Sequence, residues 1–307
     1  MVHRTQRIGA DVLLLLTSFF WGLTFVIVKE AISRVGVFLF LSQRFLLAFA
    51  ILLVLSFAAR RTFSMRALRQ GIVLGALLFG AFALQTMALR YTTASNTAFL
   101  TGLNVVFVPI VGSLLFRQHV TWSMKVGVII AAMGMYFLCT NGDGHFGRGE
   151  VLAFFCALSV AGHVVMTGEY AMSSDVYWLT TVQIGTVAFL STAVAGIQRE
   201  AVFSWYPEIL PALIICVIFA TIFAFLVQTS MQRYTSPTHT AIIFCMEPVF
   251  GALCAHIMLG EAFGSRGYAG AALIVAGMIL SEISSIAGVP SPEDRVEEEP
   301  KGVVMKG

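Results

Sequence analysis

Charge is what this chain has least of. Only 11% of its 307 residues are Asp, Glu, Lys or Arg, against about 25% in a soluble domain. So few charged side chains cannot coat a water-soluble fold of this length, and a pair of soluble domains is excluded. Cysteine is equally uninformative as chemistry. Cys139, Cys156, Cys216, Cys245 and Cys254 fall inside apolar segments or at their ends, with no C-x-x-C pair. A buried thiol packs as a small hydrophobe, so no disulfide, metal site or other cofactor is expected. Catalytic signatures are missing too: no H-E-x-x-H, no G-x-S-x-G and no paired intramembrane aspartates. The nucleotide-binding G-x-x-x-x-G-K-[ST] is also absent. These absences argue against a membrane enzyme and against an ATP-driven pump.

What fills the chain is apolar surface. It is 58% hydrophobic, with a mean hydropathy of +0.87. The apolar residues run all round segments of roughly 20 residues, long enough to cross a hydrocarbon core about 30 Å thick. In lipid every backbone polar group needs an internal partner, so spanning segments are helices or closed barrels, and continuous runs are not the alternating pattern of barrel strands. The expected fold is all-α and polytopic. Ten spans are expected near 11–32, 36–58, 70–90, 96–116, 123–140, 149–169, 176–197, 209–231, 237–259 and 265–286. Pro109 and Pro248 mark candidate kinks in spans 4 and 9.

Half of this array repeats. Residues 90–135 read again, without a gap, at 233–278: Arg90-Tyr91-Thr92 returns as Arg233-Tyr234-Thr235, Gly127 as Gly270, and Gly134-Met135 as Gly277-Met278. Duplicated membrane bundles are characteristic of carriers, which build one site at the repeat interface and rock about it. Five spans per repeat is an odd number, so the two repeats are expected to be inverted around a central cavity. The division is a first five-helix repeat over 11–140 and a second over 149–286. A short N-terminus, 1–10, precedes them. An acidic tail over 287–307, with Glu293, Asp294, Glu297, Glu298 and Glu299, reads as a solvated, disordered end.

Lys and Arg set the orientation. With the N-terminus inside, the first half places Arg4, Arg7, Arg60, Arg61, Arg66, Arg69, Arg117 and Lys125 on the cytoplasmic side, and Arg34, Arg90 and Arg148 outside, with Lys29 at the outer end of span 1. The positive-inside rule then puts both termini in the cytoplasm of a cell inner (cytoplasmic) membrane. The basic residues are topology signals, so the net charge of +3 implies a lipid bilayer and no nucleic acid as partner.

The site expectation rests on polar residues within spans, which tend to face the bundle interior. Thr97, Thr101 and Asn104 share one face of span 4 by their spacing. Span 9 repeats that stripe as Thr240, Phe244 and Glu247. Thr17, Trp21 and Thr24 do the same on span 1, and Thr221, Phe225 and Gln228 on span 8. His163 on span 6 and Gln85 on span 3 complete the pattern. Trp21, Thr24, Gln85, Asn96, Thr101, Asn104, His163, Gln228 and Glu247 are therefore expected to face one substrate cavity. Taken singly, each Thr more often bonds its own helix, and Gln or Asn often serve as interhelical glue. Glu247 at the centre of span 9 is costly in lipid. It is either a proton or cation site or, as the simpler reading, a structural partner of His163, His256 or Arg44. Gly127, Gly134, Gly270 and Gly277 mark spans 5 and 10 as scaffold helices or as the contact of a homodimer.

The run Phe20-Trp21-Gly22-Leu23-Thr24-Phe25 with Lys29, then Gln43-Arg44-Phe45, resembles EamA-type members of the drug/metabolite transporter superfamily. So does the paired segment from Tyr91 through Pro109 and again from Tyr234 through Glu247-Pro248, closing on Leu259-Gly260-Glu261. The resemblance covers 11–286. It implies ten helices in two inverted repeats, a cavity lined by spans 1, 3, 4, 6, 8 and 9, and secondary transport, often export, of small metabolites such as amino acids. Arg117-Gln118 departs from the pattern where the second repeat has Gly260-Glu261. A channel or structural membrane subunit is the competing class.

Overall fold

In the computed structural model, residues 4–116, 121–139, 147–202, 204, 206–231 and 243–286 are described. Among these every regular element is helical. The order is α1 (Arg4–Arg34), α2 (Val37–Ala58), α3 (Met65–Ala88), α4 (Ala94–Gly102), α5 (Asn104–Phe116) and α6 (Trp122–Cys139). There follow α7 (Arg148–Ser173), α8 (Val176–Ile197), α9 (Leu210–Val217), a π-helical turn (Ile218–Phe223), α10 (Ala224–Met231), α11 (Met246–Leu259) and α12 (Ser265–Ile286). Seven stretches are long and apolar enough to cross a bilayer, counting α4 with α5 and Pro207–Met231 as single spans. Trp122–Leu138, Met246–Leu259 and Ser265–Ser281 are shorter apolar helices. The second copy of the Arg-Tyr-Thr run, Thr240 and the acidic tail lie outside the described residues.

The outer surface is hydrophobic. Leu114, Trp122, Phe189, Ile197 and Ile257 are each more than two-thirds exposed, an arrangement that suits lipid and would aggregate a protein in water. Inside, glycines set how closely helices pack. A Cβ on Gly127 would sit 2.7 Å from the Gly277 carbonyl, and one on Gly134 2.7 Å from the Gly270 carbonyl, so α6 and α12 cross antiparallel with backbones in direct contact. The pairing exchanges equivalent positions of the two sequence repeats. These glycine faces are thus used within the chain. Gly71 and Gly75 of α3 press against Val182 and Thr186 of α8, and Gly22 of α1 against the backbone of Glu247 and Gly251 in α11.

The breaks fall elsewhere than the prolines suggest. The fourth span parts at Leu103, between α4 and α5, while Pro109 lies inside α5. There Asn104 Nδ2 donates to the Thr101 carbonyl at 2.8 Å and the Leu103 N–H reaches only to Leu100. A side chain competing for the backbone interrupts the helix as effectively as a ring. In the ninth span the helix is interrupted at Cys245, the N-cap of α11, shortly before Pro248.

Candidate functional site

Eight of the nine expected residues line one cavity between the repeats. Trp21, Thr24, Gln85, Thr101, Asn104, His163, Gln228 and Glu247 surround it, together with Leu78, Phe82, Phe225 and Phe244. Helical spacing joins Gln85 and His163, picked out by their polarity, to neighbours not named from the sequence: Leu78, Ala81 and Phe82 share the Gln85 face, and Val160 and Val164 the His163 face. The cavity holds about 60 Å³, far below the roughly 300 Å³ at the small end of ligand pockets. The bundle is therefore contracted around its centre.

Asn96 is the exception to the expectation of a common space. It sits in the first turn of α4, where its N–H is capped by Thr93 Oγ1 at 3.0 Å. There it lines a separate cavity of about 450 Å³ at one end of the bundle, with Ser95, Glu261 and Arg266. The reason is geometric: Asn96 lies well round the helix from Thr101 and about one and a half turns nearer the end.

Most donors around the central cavity already have partners. The Trp21 indole N–H donates to the Ala220 carbonyl at 3.1 Å, and its ring lies between Phe225 and Phe244, with centroids 5.6 Å and 5.2 Å away. Thr24 donates to the Trp21 carbonyl at 2.6 Å. Thr101 turns its hydroxyl toward Cys156 Sγ, 3.9 Å away. His163, 2% exposed, shares a 2.7 Å hydrogen bond with Gln183 of α8, a buried residue that no spacing argument had singled out. Thr17 and Thr97, the outermost members of their stripes, bond the carbonyls of Leu13 and Thr93 in their own helices.

Acceptors are left over. Gln228 is 1% exposed and its Oε1 has no partner. Glu247, partly buried at the start of α11, makes no hydrogen bond or ion pair among the described residues. Its expected structural partners are all engaged elsewhere. His163 is held by Gln183, and His256 Nδ1 meets the Glu261 carbonyl at 2.9 Å. Arg44 donates to Thr221 Oγ1 at 3.0 Å and to the Ala220 carbonyl at 3.4 Å. The expectation of a structural pairing for Glu247 is thereby overturned.

Arg44 closes the far side of this wall. It is 2% exposed and its guanidinium stacks 4.7 Å from the Phe82 ring centroid. It ties α2 to the π-helical turn, where Thr221 Oγ1 donates to the Cys216 carbonyl at 2.7 Å. Widened turns of this kind loosen the regular backbone ladder and expose carbonyls, and they recur at functional sites.

A second polar cluster closes one end. Gly260 adopts φ +67° after α11, the left-handed cap that only glycine takes cheaply. The turn sends Glu261 back onto α4. Its carboxylate accepts the N–H groups of Ala94 at 3.0 Å and Ser95 at 2.9 Å, the Ser95 hydroxyl at 2.8 Å and Lys29 Nζ at 3.2 Å. Lys29 also donates to the Thr92 carbonyl at 3.0 Å. Partial burial alone pushes the Glu261 carboxyl up, but these donors and the Lys29 charge outweigh it and hold it below the ordinary carboxylate range.

A polytopic helix bundle with a polar centre between two sequence repeats is the architecture of a membrane transporter. The EamA-like transporter family model matches twice, over residues 8–140 and 147–283, and the chain belongs to that family. It is 32% identical to an uncharacterized transporter of Archaeoglobus fulgidus over 90% of this chain and 86% of the relative. It is also 24% identical to a probable amino-acid metabolite efflux pump of Salmonella typhimurium, over 88% of this chain and 93% of that protein. A protein solved by crystallography superposes with a TM-score of 0.66 over 91% of this chain and 98% of its own, at 18% identity, which shows the shared fold alone. The chain is a multi-pass membrane protein of the transporter class.

Proposed function

We propose that this protein is a secondary carrier that exports small metabolites, such as amino acids or related compounds, by alternating access. The observation that carries the reading is the convergence of polar and aromatic side chains from both repeats on one buried centre. Trp21, Thr24, Gln85, Thr101 and Asn104 come from the first repeat, and His163, Gln228 and Glu247 from the second. Buried polar groups in a bundle are expensive unless they serve a path or a partner. The contracted volume of the centre agrees with a carrier that must open to one side before it loads. The likeness to the probable amino-acid metabolite efflux pump of Salmonella typhimurium supports export of metabolites.

Ten spans in two inverted repeats, 11–140 and 149–286, are part of this reading. The antiparallel crossing of α6 and α12 supports it, because Gly127 meets Gly277 and Gly134 meets Gly270. Equivalent helices that meet by exchanging equivalent positions imply a pseudo-two-fold axis lying in the membrane plane. Lys and Arg asymmetry supports cytoplasmic termini in the inner membrane. The test is flux in proteoliposomes containing the purified protein. Saturable uptake that is accelerated by substrate preloaded on the opposite side is expected. Linear, unsaturable flux would favour a channel instead.

A further inference from the structure

We propose that the central cavity recognises an organic cation: an ammonium group on an apolar or aromatic body, with Glu247 as its counter-charge. The proposal rests on reading that cavity as the substrate site and narrows its substrate class. Among the described lining residues Glu247 is the one carboxylate, and there is no Lys or Arg. The nearest guanidinium, Arg44, is outside the lining and committed to Thr221 and Ala220.

The hydrogen-bond inventory points the same way. The Trp21, Thr24 and Thr101 donors are spent on protein acceptors, and the His163 ring nitrogen on Gln183. Gln228 Oε1 and the Glu247 carboxylate remain without partners. The amide N–H groups of Gln85 and Gln228 are also free but only balance their own amide oxygens, so the carboxylate is the acceptor in excess. A surplus of acceptors calls for a ligand that brings donors and positive charge. The walls suit such a ligand. Phe244, Trp21 and Phe225 form a continuous aromatic row, and Phe82 extends it 6.2 Å beyond the Phe225 centroid. Aromatic faces beside a carboxylate are the arrangement that holds alkylammonium groups by cation–π attraction.

The same features disfavour a carboxylate on the ligand. A zwitterionic amino acid would bring its own carboxylate near Glu247, with the neutral amide of Gln85 and no cation to receive it. Discrimination would come from that like-charge contact as much as from the attraction of the ammonium group. The substrates inferred are amines related to amino acids, rather than the amino acids themselves.

Three probes that share one ring and differ in charge test this: phenethylamine, phenylalanine and phenylacetate. Binding to the purified full chain is measured calorimetrically in detergent at neutral pH, and counterflow of each is measured in proteoliposomes. Phenethylamine should bind roughly ten-fold or more tighter than the other two, and Glu247→Gln should weaken it by at least that factor. Equal or tighter binding of phenylalanine or phenylacetate overturns the proposal, as does amine binding that Glu247→Gln leaves unchanged. If that variant does not fold, the ranking of the three probes on the native protein decides alone. Saturable counterflow of phenylalanine without an amine preference removes the cation site and leaves the carrier. Glu247-dependent amine binding without saturable exchange removes the carrier and leaves the site. No binding and no exchange of any probe removes both.

Discussion

Lys29 and Glu261 meet at 3.2 Å, near the ends of helices α1 and α11, which belong to different repeats. The same carboxylate caps the first turn of α4 through the N–H groups of Ala94 and Ser95. Three helices are therefore tied at one end of the bundle by one side chain, placed there by the left-handed turn at Gly260. Glu261→Gln should lower stability by about 1–3 kcal/mol, because an amide has one acceptor oxygen in place of two and carries no charge for Lys29. Thermal unfolding of the solubilised protein reads this. The pH dependence has a definite sign. The folded-state pKa is depressed, so the contribution is fully present above the unfolded carboxylate value of about 4.3. It is lost as pH falls through the lower folded value. The difference in melting temperature between native protein and variant should hold from neutral pH to about 5 and shrink in more acidic buffer.

Trp21 and Arg44 donate to the same carbonyl, that of Ala220. Each single loss leaves that oxygen one donor. Losing both removes the two side-chain donors that this oxygen has. Trp21→Phe and Arg44→Met should thus be more destabilising together than their separate effects add up to, with a coupling of about 1 kcal/mol. A double-mutant cycle on thermal unfolding measures it, and strict additivity would mean the shared carbonyl carries no energy.

Gly134 tests the α6–α12 crossing. Its added Cβ would meet backbone atoms of Gly270 and Ile274 at 2.7 Å, and backbone cannot rotate away as a side chain does. Gly134→Ala should cost about 1–3 kcal/mol as an overpacked contact. Gly168 in α7 has open space around its Cβ position, so Gly168→Ala should be neutral or stabilising by up to about 1 kcal/mol through helix propensity. Equal effects from both would remove the packing argument.

Water access separates the central cavity from the lipid surface. Thr101→Cys and Gln228→Cys should react with a membrane-impermeant thiol reagent during turnover and be protected by a transported substrate. Leu114→Cys, on the exposed face of α5, should react only with lipid-soluble reagents. Labelling of Thr101→Cys by lipid-soluble reagents alone would place that face outside any aqueous path.

Topology offers a fifth check. A reporter fused after Gly307 should remain on the cytoplasmic side, as the Lys and Arg asymmetry of the first half requires. Its appearance on the outer face would overturn the assigned orientation.

Much of the cavity lining is legible in the sequence, because polarity inside a span is costly and rarely idle. A spacing of three placed Trp21 with Thr24 and Thr101 with Asn104, and the helices kept those faces inward. Asn96 lines the other cavity because polarity alone, without register, does not fix which face a residue takes. Gln183 was hidden because nothing along α8 indicates that it meets His163 from another helix. Phe82 was available by the Gln85 spacing, but an aromatic in an apolar run carries no contrast against its surroundings.

The sequence by itself determined the membrane class, the helices and the repeat, since these follow from local hydropathy, backbone satisfaction and self-similarity, which need no partner. It also determined which helix faces carry polar groups. Tertiary structure decided the rest: which acceptors remain unpartnered, where Arg44 spends its charge, that Glu247 stands apart from every expected base, and that Glu261 caps a helix of the other repeat. Those outcomes depend on distances between segments far apart in the chain. Pairing in a packed interior is a competition among neighbours, and only the assembled bundle says who the neighbours are.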